Sequence, residues 1–178
     1  MWSKFLKKWN GVSIFLDPFV TKASDLEIFT DSSGKIGFSG FFKGHYFLER
    51  WPIHLRVDSG NHVSMAFLEL IPIVTAALLW GHNWHSKRIL FHCDNLATVH
   101  AIRKGRSGCK PINHLMRILV LRAAELNFHF TAEWLSTKHN GIADALSRFD
   151  LQRFRILAPD ADPEPTTIPA EILEILTT

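Results

Sequence analysis

Four acidic residues occur where the predicted strands and helices could bring their carboxylates together. Asp31 follows an alternating apolar run at residues 26–30, and Asp94 follows a second run of this kind. Glu69 lies inside a long apolar helical segment, and Asp144 lies near the start of a short one. Carboxylate oxygens are the ligands that Mg²⁺ prefers. Convergence of the four side chains would therefore create a site for two Mg²⁺ ions and an in-line attack on a phosphodiester.

Each of these acids also has an ordinary structural interpretation. An isolated Asp after a strand is usually a turn residue or a helix cap, which applies to Asp31 and Asp94. Glu69 could lie on the exposed side of its helix, and Asp144 could be a first-turn acid that the helix dipole favours. The four acids taken together favour the metal site. Glu69 is the most informative of them, because a carboxylate beside so apolar a helical face is costly to bury unless it is paired or metal-bound.

The elements around these acids alternate in a way that is typical of an α/β domain. Strands are predicted from alternating or continuous apolar runs at residues 26–30, 36–42, 45–51, 88–93 and 127–135. Helices are predicted at residues 64–84 with Ser64 as the N-cap, at 95–103, at 112–126 and around Asp144. This order predicts a mixed five-stranded sheet that begins with an antiparallel meander and carries helices on both faces.

Composition divides the chain into three segments, one of which is long enough for a single domain. Residues 1–23 mix lysines with aromatic residues and are expected to pack against a neighbouring domain. Residues 24–150 hold all the predicted elements of the sheet. Residues 151–178 are acidic and proline-rich, which predicts an extended linker closed by a short helix near residues 170–176.

Several classes of protein are disfavoured by composition. Cys93 and Cys109 are the only cysteines and have no metal-ligand spacing, so neither a disulfide partner nor a zinc site is expected. Residues 1–10 lack the apolar segment of a signal peptide, and the apolar run at 70–80 is shorter than the 18 or so residues that a membrane span needs. An intracellular protein without a membrane segment is therefore expected. The formal net charge of +3 permits a polyanionic partner.

The order of these motifs resembles type-1 ribonuclease H. In that family an acid ends the first strand, as in residues 30–34 (TDSSG), and a glutamate follows on the first helix, as at Glu69. An aspartate ends the fourth strand, as at Asp94, and an Asn-x-x-x-Asp pair opens the last helix, as at Asn140 and Asp144.

Three local motifs of the sequence resemble one branch of the family more closely. Residues 69–81, 93–95 and 143–148 resemble the ribonuclease H domain that follows the reverse transcriptase of DIRS-like, tyrosine-recombinase retrotransposons. In that comparison residues 9–13 resemble the connection that leaves the polymerase. Residues 151–170 resemble the segment that trails the nuclease.

The resemblance implies an RNase H-like fold and hydrolysis of the RNA strand of an RNA/DNA hybrid, leaving a 3′ hydroxyl and a 5′ phosphate. Two Mg²⁺ ions about 3.5–4 Å apart, with Mn²⁺ as an alternative, would be held by Asp31, Glu69, Asp94 and Asp144. The clustered carboxylates would repel one another without metal, which predicts raised proton affinity. A reverse transcriptase domain on the N-terminal side is the implied partner in a polyprotein. The candidate nucleic-acid contacts are Ser32, Ser33, Gly34, Asn95, Lys104, Arg106, Lys110 and Asn140.

The sequence departs from cellular relatives of the family in two places. Those relatives carry a mobile histidine in a longer loop about ten residues before the last aspartate, where this chain has Trp134. His139 lies nearby and is the candidate for the catalytic role of that histidine. The basic helical protrusion that many relatives use to bind hybrid is absent as well.

Two other functions share this predicted fold. A degenerate transposon fragment would bind nucleic acid or a protein without turnover. A DNA nuclease or an integrase-like strand-transfer enzyme would generally use three acids, against which the presence of Asp144 argues.

Overall fold

The computed structural model describes residues 26–177, together with Ser3, Leu6 and Lys7. The predicted connection segment at residues 1–23 lies outside the described residues, apart from those three. The five strands are β1 Glu27–Ser32, β2 Gly37–Phe42, β3 His45–Arg50, β4 Arg88–Cys93 and β5 His129–Trp134. The helices are α1 Met65–Trp80, α2 Leu96–Lys104, α3 Lys110–Leu126, α4 Gly141–Ser147, α5 Leu151–Leu157 and α6 Ala170–Thr177.

The strands form one mixed sheet in the order β3-β2-β1-β4-β5. The meander β1-β2-β3 is antiparallel, whereas β4 pairs in parallel with β1 and β5 pairs in parallel with β4. The prediction of an α/β fold with a mixed five-stranded sheet and flanking helices is therefore confirmed. Parallel pairs need a crossover connection, which α1 provides between the meander and β4.

Opposite faces of the sheet pack against different helices. Phe47 points into the larger core, which includes apolar residues of α1, α2, α3 and α6. Its neighbours Tyr46 and Leu48 point to the other face, where they pack with Leu146 of α4 and Phe154 of α5. Successive residues of a strand face opposite sides, so β3 contributes to both cores.

The first strand runs two residues further than the sequence pattern indicates. Antiparallel pairing with β2 continues through Asp31, opposite Ser39, to Ser32, opposite Phe38. Asp31 therefore lies inside the central strand instead of in the turn after it. The backbone that carries this carboxylate is fixed by its pairing with β2, since the pairing of β1 with β4 ends at Phe29.

The first helix begins where the sequence predicts. The side chain of Ser64 accepts a hydrogen bond from the backbone N–H of Phe67, which is the N-cap arrangement. The α-helix ends at Trp80, and a 3₁₀ turn at Gly81–Asn83 completes the predicted segment. Pro72 lies in the helix interior, as the sequence requires.

This helix is long and apolar enough to be tested as a membrane span. Among the described residues, Met65–Asn83 passes a criterion of length and composition, and 67% of its most apolar window is buried inside the protein. A helix that is apolar all round and largely covered by other elements is what a core helix looks like.

The acidic C-terminal segment packs against the sheet, in contrast to the predicted extended linker. Helix α5 was not predicted, and beyond it residues 158–169, here named the edge strap, have no regular structure but run beside β3. The backbone N–H of Asp162 donates to the carbonyl of Gly44 (3.0 Å), and that of Thr166 donates to the carbonyl of Tyr46 (2.7 Å). The edge strand has unpaired carbonyls that need partners, and the strap supplies them. The limits of the three segments as domains stay a prediction.

Candidate metal centre

Three of the four predicted acids converge in the structure. Oxygen atoms of Asp31, Glu69 and Asp94 all lie within 4.8 Å of one another. Asp31 comes from the central strand, Asp94 follows the parallel neighbour of that strand, and Glu69 comes from helix α1, which packs on the central strand. Asp31 and Glu69 are buried, with 4% and 1% of their surface exposed.

Burial and the repulsion of nearby charges give Asp31 and Glu69 a raised proton affinity. Burial raises the pKa of Asp31 to about 7, and the nearby charges of Asp94 and Asp144 add to the shift. Burial also raises the pKa of Glu69 well above its ordinary value, and the charges of Asp31 and Asp94 add to it. The predicted rise in proton affinity of the metal-free cluster is thus present for two acids.

The chemistry of this donor set fits a hard divalent cation. All three groups offer carboxylate oxygens, which suit Mg²⁺ or Mn²⁺. Burial is the main cause of the raised pKa of Asp31 and Glu69, and a cation among the three acids would relieve the repulsion that adds to it. The identity of the ion stays a prediction.

Neighbouring donors fix the carboxylates from outside the cluster. The hydroxyl of Ser147 donates to Oδ2 of Asp31 (2.5 Å), and the hydroxyl of Thr137 donates to Oδ2 of Asp94 (2.7 Å). The indole N–H of Trp134 donates to the backbone carbonyl of Asp94 (3.0 Å). Sequence reasoning missed Ser147 and Thr137 as supporting residues. Thr137 lies in a turn with no periodic signal, so no pattern in the sequence points to its partner.

Asp144, the fourth predicted ligand, lies outside the group of three. Its Oδ1 is 2.6 Å from Nε of Arg148, and its Oδ2 is 2.6 Å from Nη1 of Arg153. Burial alone would raise the pKa of Asp144, but the hydrogen bonds and charges of the two arginines outweigh it and hold that pKa below its ordinary value. We call these two contacts the arginine clamp. The role of Asp144 as a metal ligand stays a prediction.

The contact of Asp144 with Arg148 could be predicted from the sequence, whereas its contact with Arg153 could not. Arg148 follows Asp144 by four residues on a predicted helix, a spacing at which opposite charges meet. Arg153 belongs to α5, which the composition of the tail did not predict.

Asn140 links the start of α4 to the central strand β1. It is buried, with 1% exposed, and its Nδ2 donates to the carbonyl of Thr30 (2.9 Å). It occupies the N-cap position of α4 without making a side-chain cap bond. Its amide thus bridges two elements, and the candidate role in nucleic-acid contact stays a prediction.

A cavity of about 500 Å³ opens beside the acids. Its lining includes six residues that the sequence singled out, namely Ser32, Ser33, Gly34, Glu69, Asp94 and Asn95. Two basic side chains that it did not single out, Lys35 and Arg148, also line the cavity. Asn95 has a structural task too, because its Oδ1 accepts from the N–H of Thr98 at the start of α2 (3.1 Å).

The other candidate contacts lie apart from this cavity's lining. Lys104 and Arg106 line a separate cavity beside the α2–α3 loop, and Lys110 is the first residue of α3. His139 is exposed, and its Nδ1 is 2.9 Å from the hydroxyl of Ser136. The structure therefore does not bring these four side chains into the group formed by the three acids.

The sheet, its flanking helices and the acidic triad are compatible with an RNase H-like fold. A scan against protein-family models gives no match for this chain, and a search of curated proteins gives none either.

Proposed function

We propose that this chain is a divalent-cation-dependent ribonuclease H that hydrolyses the RNA strand of RNA/DNA hybrids, as a domain or fragment of a retrotransposon polyprotein. One observation carries the proposal: Asp31, Glu69 and Asp94 come from three separate elements and present their oxygens within 4.8 Å of one another. The order of these acids along the chain is the order that the resemblance to ribonuclease H requires.

In this proposal Asp31, Glu69 and Asp94 hold Mg²⁺, and Asp144 completes the ligand set. A bound Mg²⁺ supplies the positive charge that activates water and stabilises the leaving oxygen of a phosphodiester. The hydroxyls of Ser147 and Thr137 keep the carboxylates of Asp31 and Asp94 oriented. Little side-chain conformational entropy is therefore lost when the site forms.

Substrate would occupy the cavity beside the acids. Ser32, Ser33 and Asn95 line it and offer hydroxyl and amide groups to sugars and phosphates. Recognition of the 2′ hydroxyl is the feature that separates RNA from DNA in such a site. The loop residues Lys104 and Arg106 would bind the backbone further along the duplex.

The proposal extends to the setting of the chain. A reverse transcriptase domain on the N-terminal side is the partner that the resemblance implies, and an intracellular location is part of the proposal. Binding of hybrid by the isolated chain is then expected to be weak.

A second candidate is a DNA-directed nuclease or strand-transfer enzyme. One observation favours it: three acids converge, whereas Asp144 forms ion pairs with two arginines. A third candidate is an inactive fragment that binds nucleic acid or a protein at this site without turnover.

The test is cleavage of matched duplexes by the purified chain in Mg²⁺. A labelled RNA/DNA hybrid, the corresponding DNA duplex and the corresponding RNA duplex are incubated with the protein, and the product ends are analysed. Cleavage confined to the RNA strand of the hybrid, with 5′ phosphate ends, is the expected result. Faster cutting of the DNA duplex would support the second candidate, and binding without cleavage would support the third.

A further inference from the structure

The arginine clamp is an unexpected feature of the candidate site. Both oxygens of Asp144 are occupied by guanidinium groups at 2.6 Å, and the carboxylate itself is buried with 5% exposed. A guanidinium and a divalent cation compete for the same carboxylate oxygen, because their like charges repel at contact distance. Asp144 is therefore a weaker ligand while the clamp is closed.

The two arms of the clamp differ in what they face. Arg148 lines the cavity beside Glu69 and Asp94, whereas Arg153 is not part of that lining. The side chain of Arg148 is 52% exposed and that of Arg153 is 44% exposed, so both can move without disturbing the core. Of the two arms, Arg148 is therefore the one placed to meet a molecule that enters the cavity.

We propose that Arg148 exchanges Asp144 for a phosphate of the nucleic-acid substrate, and that this exchange frees Oδ1 of Asp144 as a ligand. The inference rests on the proposed function, since it assigns a residue and a regulation to the same site. Arg148 is then a residue that positions substrate and also controls when the ligand set is complete.

The exchange costs little because it replaces one charge-assisted contact with another. The contact given up is the single hydrogen bond from Nε of Arg148 to Oδ1 of Asp144 (2.6 Å), and a phosphodiester offers the guanidinium two non-bridging oxygens in its place. Asp144 keeps the contact of Oδ2 with Arg153, so opening the clamp does not leave a buried charge without a partner. Neither Asp144 nor Arg148 is therefore left without a partner after the exchange.

A thermodynamic consequence follows for the two ligands of the site. Substrate and cation both favour the open clamp, so each must strengthen the binding of the other by the same factor. Part of that coupling passes through Arg148 and disappears when its side chain is removed.

The experiment measures binding separately from cleavage, with Ca²⁺ in place of Mg²⁺. Calorimetry gives the Ca²⁺ affinity of the full chain without nucleic acid. Anisotropy of a labelled RNA/DNA hybrid gives the hybrid affinity across a series of salt concentrations, with and without Ca²⁺. The variants are Arg148→Gln and, as the matched control, Arg153→Gln.

Arg148→Gln should bind Ca²⁺ more tightly without hybrid, by about fivefold or more, which is the lower end of ordinary coupling between sites. Its hybrid affinity should depend less on salt, with the log–log slope reduced by about 0.9 for one lost phosphate contact. The coupling between Ca²⁺ and hybrid should fall below the wild-type value. Arg153→Gln should keep the wild-type salt slope and the wild-type coupling.

Equal salt slopes and equal coupling in the two variants would overturn the inference, as would an unchanged Ca²⁺ affinity in Arg148→Gln. If Arg148→Gln does not fold, Arg148→Lys serves instead. It keeps a phosphate contact but binds Asp144 less well, so a raised Ca²⁺ affinity with an unchanged salt slope is expected.

The experiment distinguishes a failure of the inference from a failure of the proposed function. Wild-type cleavage of hybrid together with identical binding by the two variants removes the inference and leaves the proposed function intact. A wild-type chain that neither cleaves hybrid nor binds it in Ca²⁺ removes both.

Discussion

The hydroxyl of Ser147 lies 2.5 Å from Oδ2 of Asp31, which joins the end of α4 to the central strand across 116 residues of sequence. This hydrogen bond lowers the pKa of Asp31, against the larger effect of burial that raises it to about 7. Ser147 is itself fully buried. The readiness of Asp31 to give up its proton near neutral pH thus depends on a side chain from the other end of the domain.

Replacement of Ser147 by Ala should weaken cation binding in a pH-dependent manner. Without the hydroxyl the pKa of Asp31 rises further, so more of the protein holds a proton that the cation must displace. Calorimetric titration with Mn²⁺ at several pH values should show the largest loss of affinity below pH 7 and a smaller loss at pH 8. An affinity loss of equal size at every pH would contradict this role, and Ser136→Ala is the control from the nearby turn.

The metal-free protein should become less stable as pH rises, because of Asp31. The unfolded chain releases this proton near the ordinary value of 3.8, whereas the folded protein keeps it up to about 7. The stability contributed by the raised pKa is therefore complete below pH 3.8 and is lost between pH 3.8 and about 7.

Asp31→Asn tests this sign directly. The variant cannot ionise, so at pH 8 with a chelator it should be more stable than the wild type, by an amount of the order of 2–4 kcal/mol. The difference should shrink as the pH falls toward 4. Urea unfolding at both pH values measures it, and a variant less stable than the wild type at pH 8 would contradict the burial of a charged Asp31.

Asn140→Ala should destabilise the domain by about 1–3 kcal/mol, because it strands a buried backbone carbonyl at Thr30. The exposed amide of Asn61 also donates to a backbone carbonyl, that of His54. Asn61→Ala is therefore the matched control and should cost under about 1 kcal/mol, since water replaces the lost donor. Similar losses in both variants would argue against the bridge between α4 and β1.

Phe154→Ala tests whether the C-terminal segment belongs to the folded unit. The ring is fully buried and lies 4.7 Å from that of Tyr46, centre to centre. Truncating so large a buried side chain should cost about 3–5 kcal/mol in the free energy of unfolding. Ile156 is on the same helix and is 74% exposed, so Ile156→Ala should change stability by less than about 0.5 kcal/mol. A small effect of Phe154→Ala would mean that α5 does not stabilise the sheet.

The parts of the fold that the sequence predicts are those with a local period. Alternating and helical apolar patterns gave the five strands and the helices of the sheet domain, and Ser64 marked the start of α1 as a cap should. The pattern of residues 26–30 predicts an end of β1 two residues too early, because the alternation stops at the acid. The strand continues since Asp31 and Ser32 find backbone partners in β2, which is a non-local effect.

The C-terminal segment shows the limit of composition as a guide. Prolines and acids predict an extended linker, yet the edge strap donates to the carbonyls of Gly44, just before β3, and Tyr46, in β3. Arg155 donates to the strap carbonyls of Asp162 (2.8 Å) and Pro163 (2.6 Å). Nothing in the local sequence reveals that an edge strand lies within reach. Backbone hydrogen bonding at a sheet edge depends on the assembled fold.

For the candidate site, the sequence supplied the residue types and the structure supplied their arrangement. The convergence of Asp31, Glu69 and Asp94 could be predicted from strand ends and helix position. The engagement of Asp144 by Arg153 could not, because that arginine is on α5 and outside every motif.

The most direct test of the account compares the hybrid cleavage rate of the wild type with that of Asp94→Asn in Mg²⁺. Asp160→Asn is the matched control, since it makes the same chemical change on the exposed part of the edge strap. Removing one ligand charge from the cluster should lower the rate by about a hundredfold or more, while Asp160→Asn stays near the wild-type rate. A cleavage rate in Asp94→Asn equal to that of the wild type would contradict the assignment of the three acids as the catalytic metal centre.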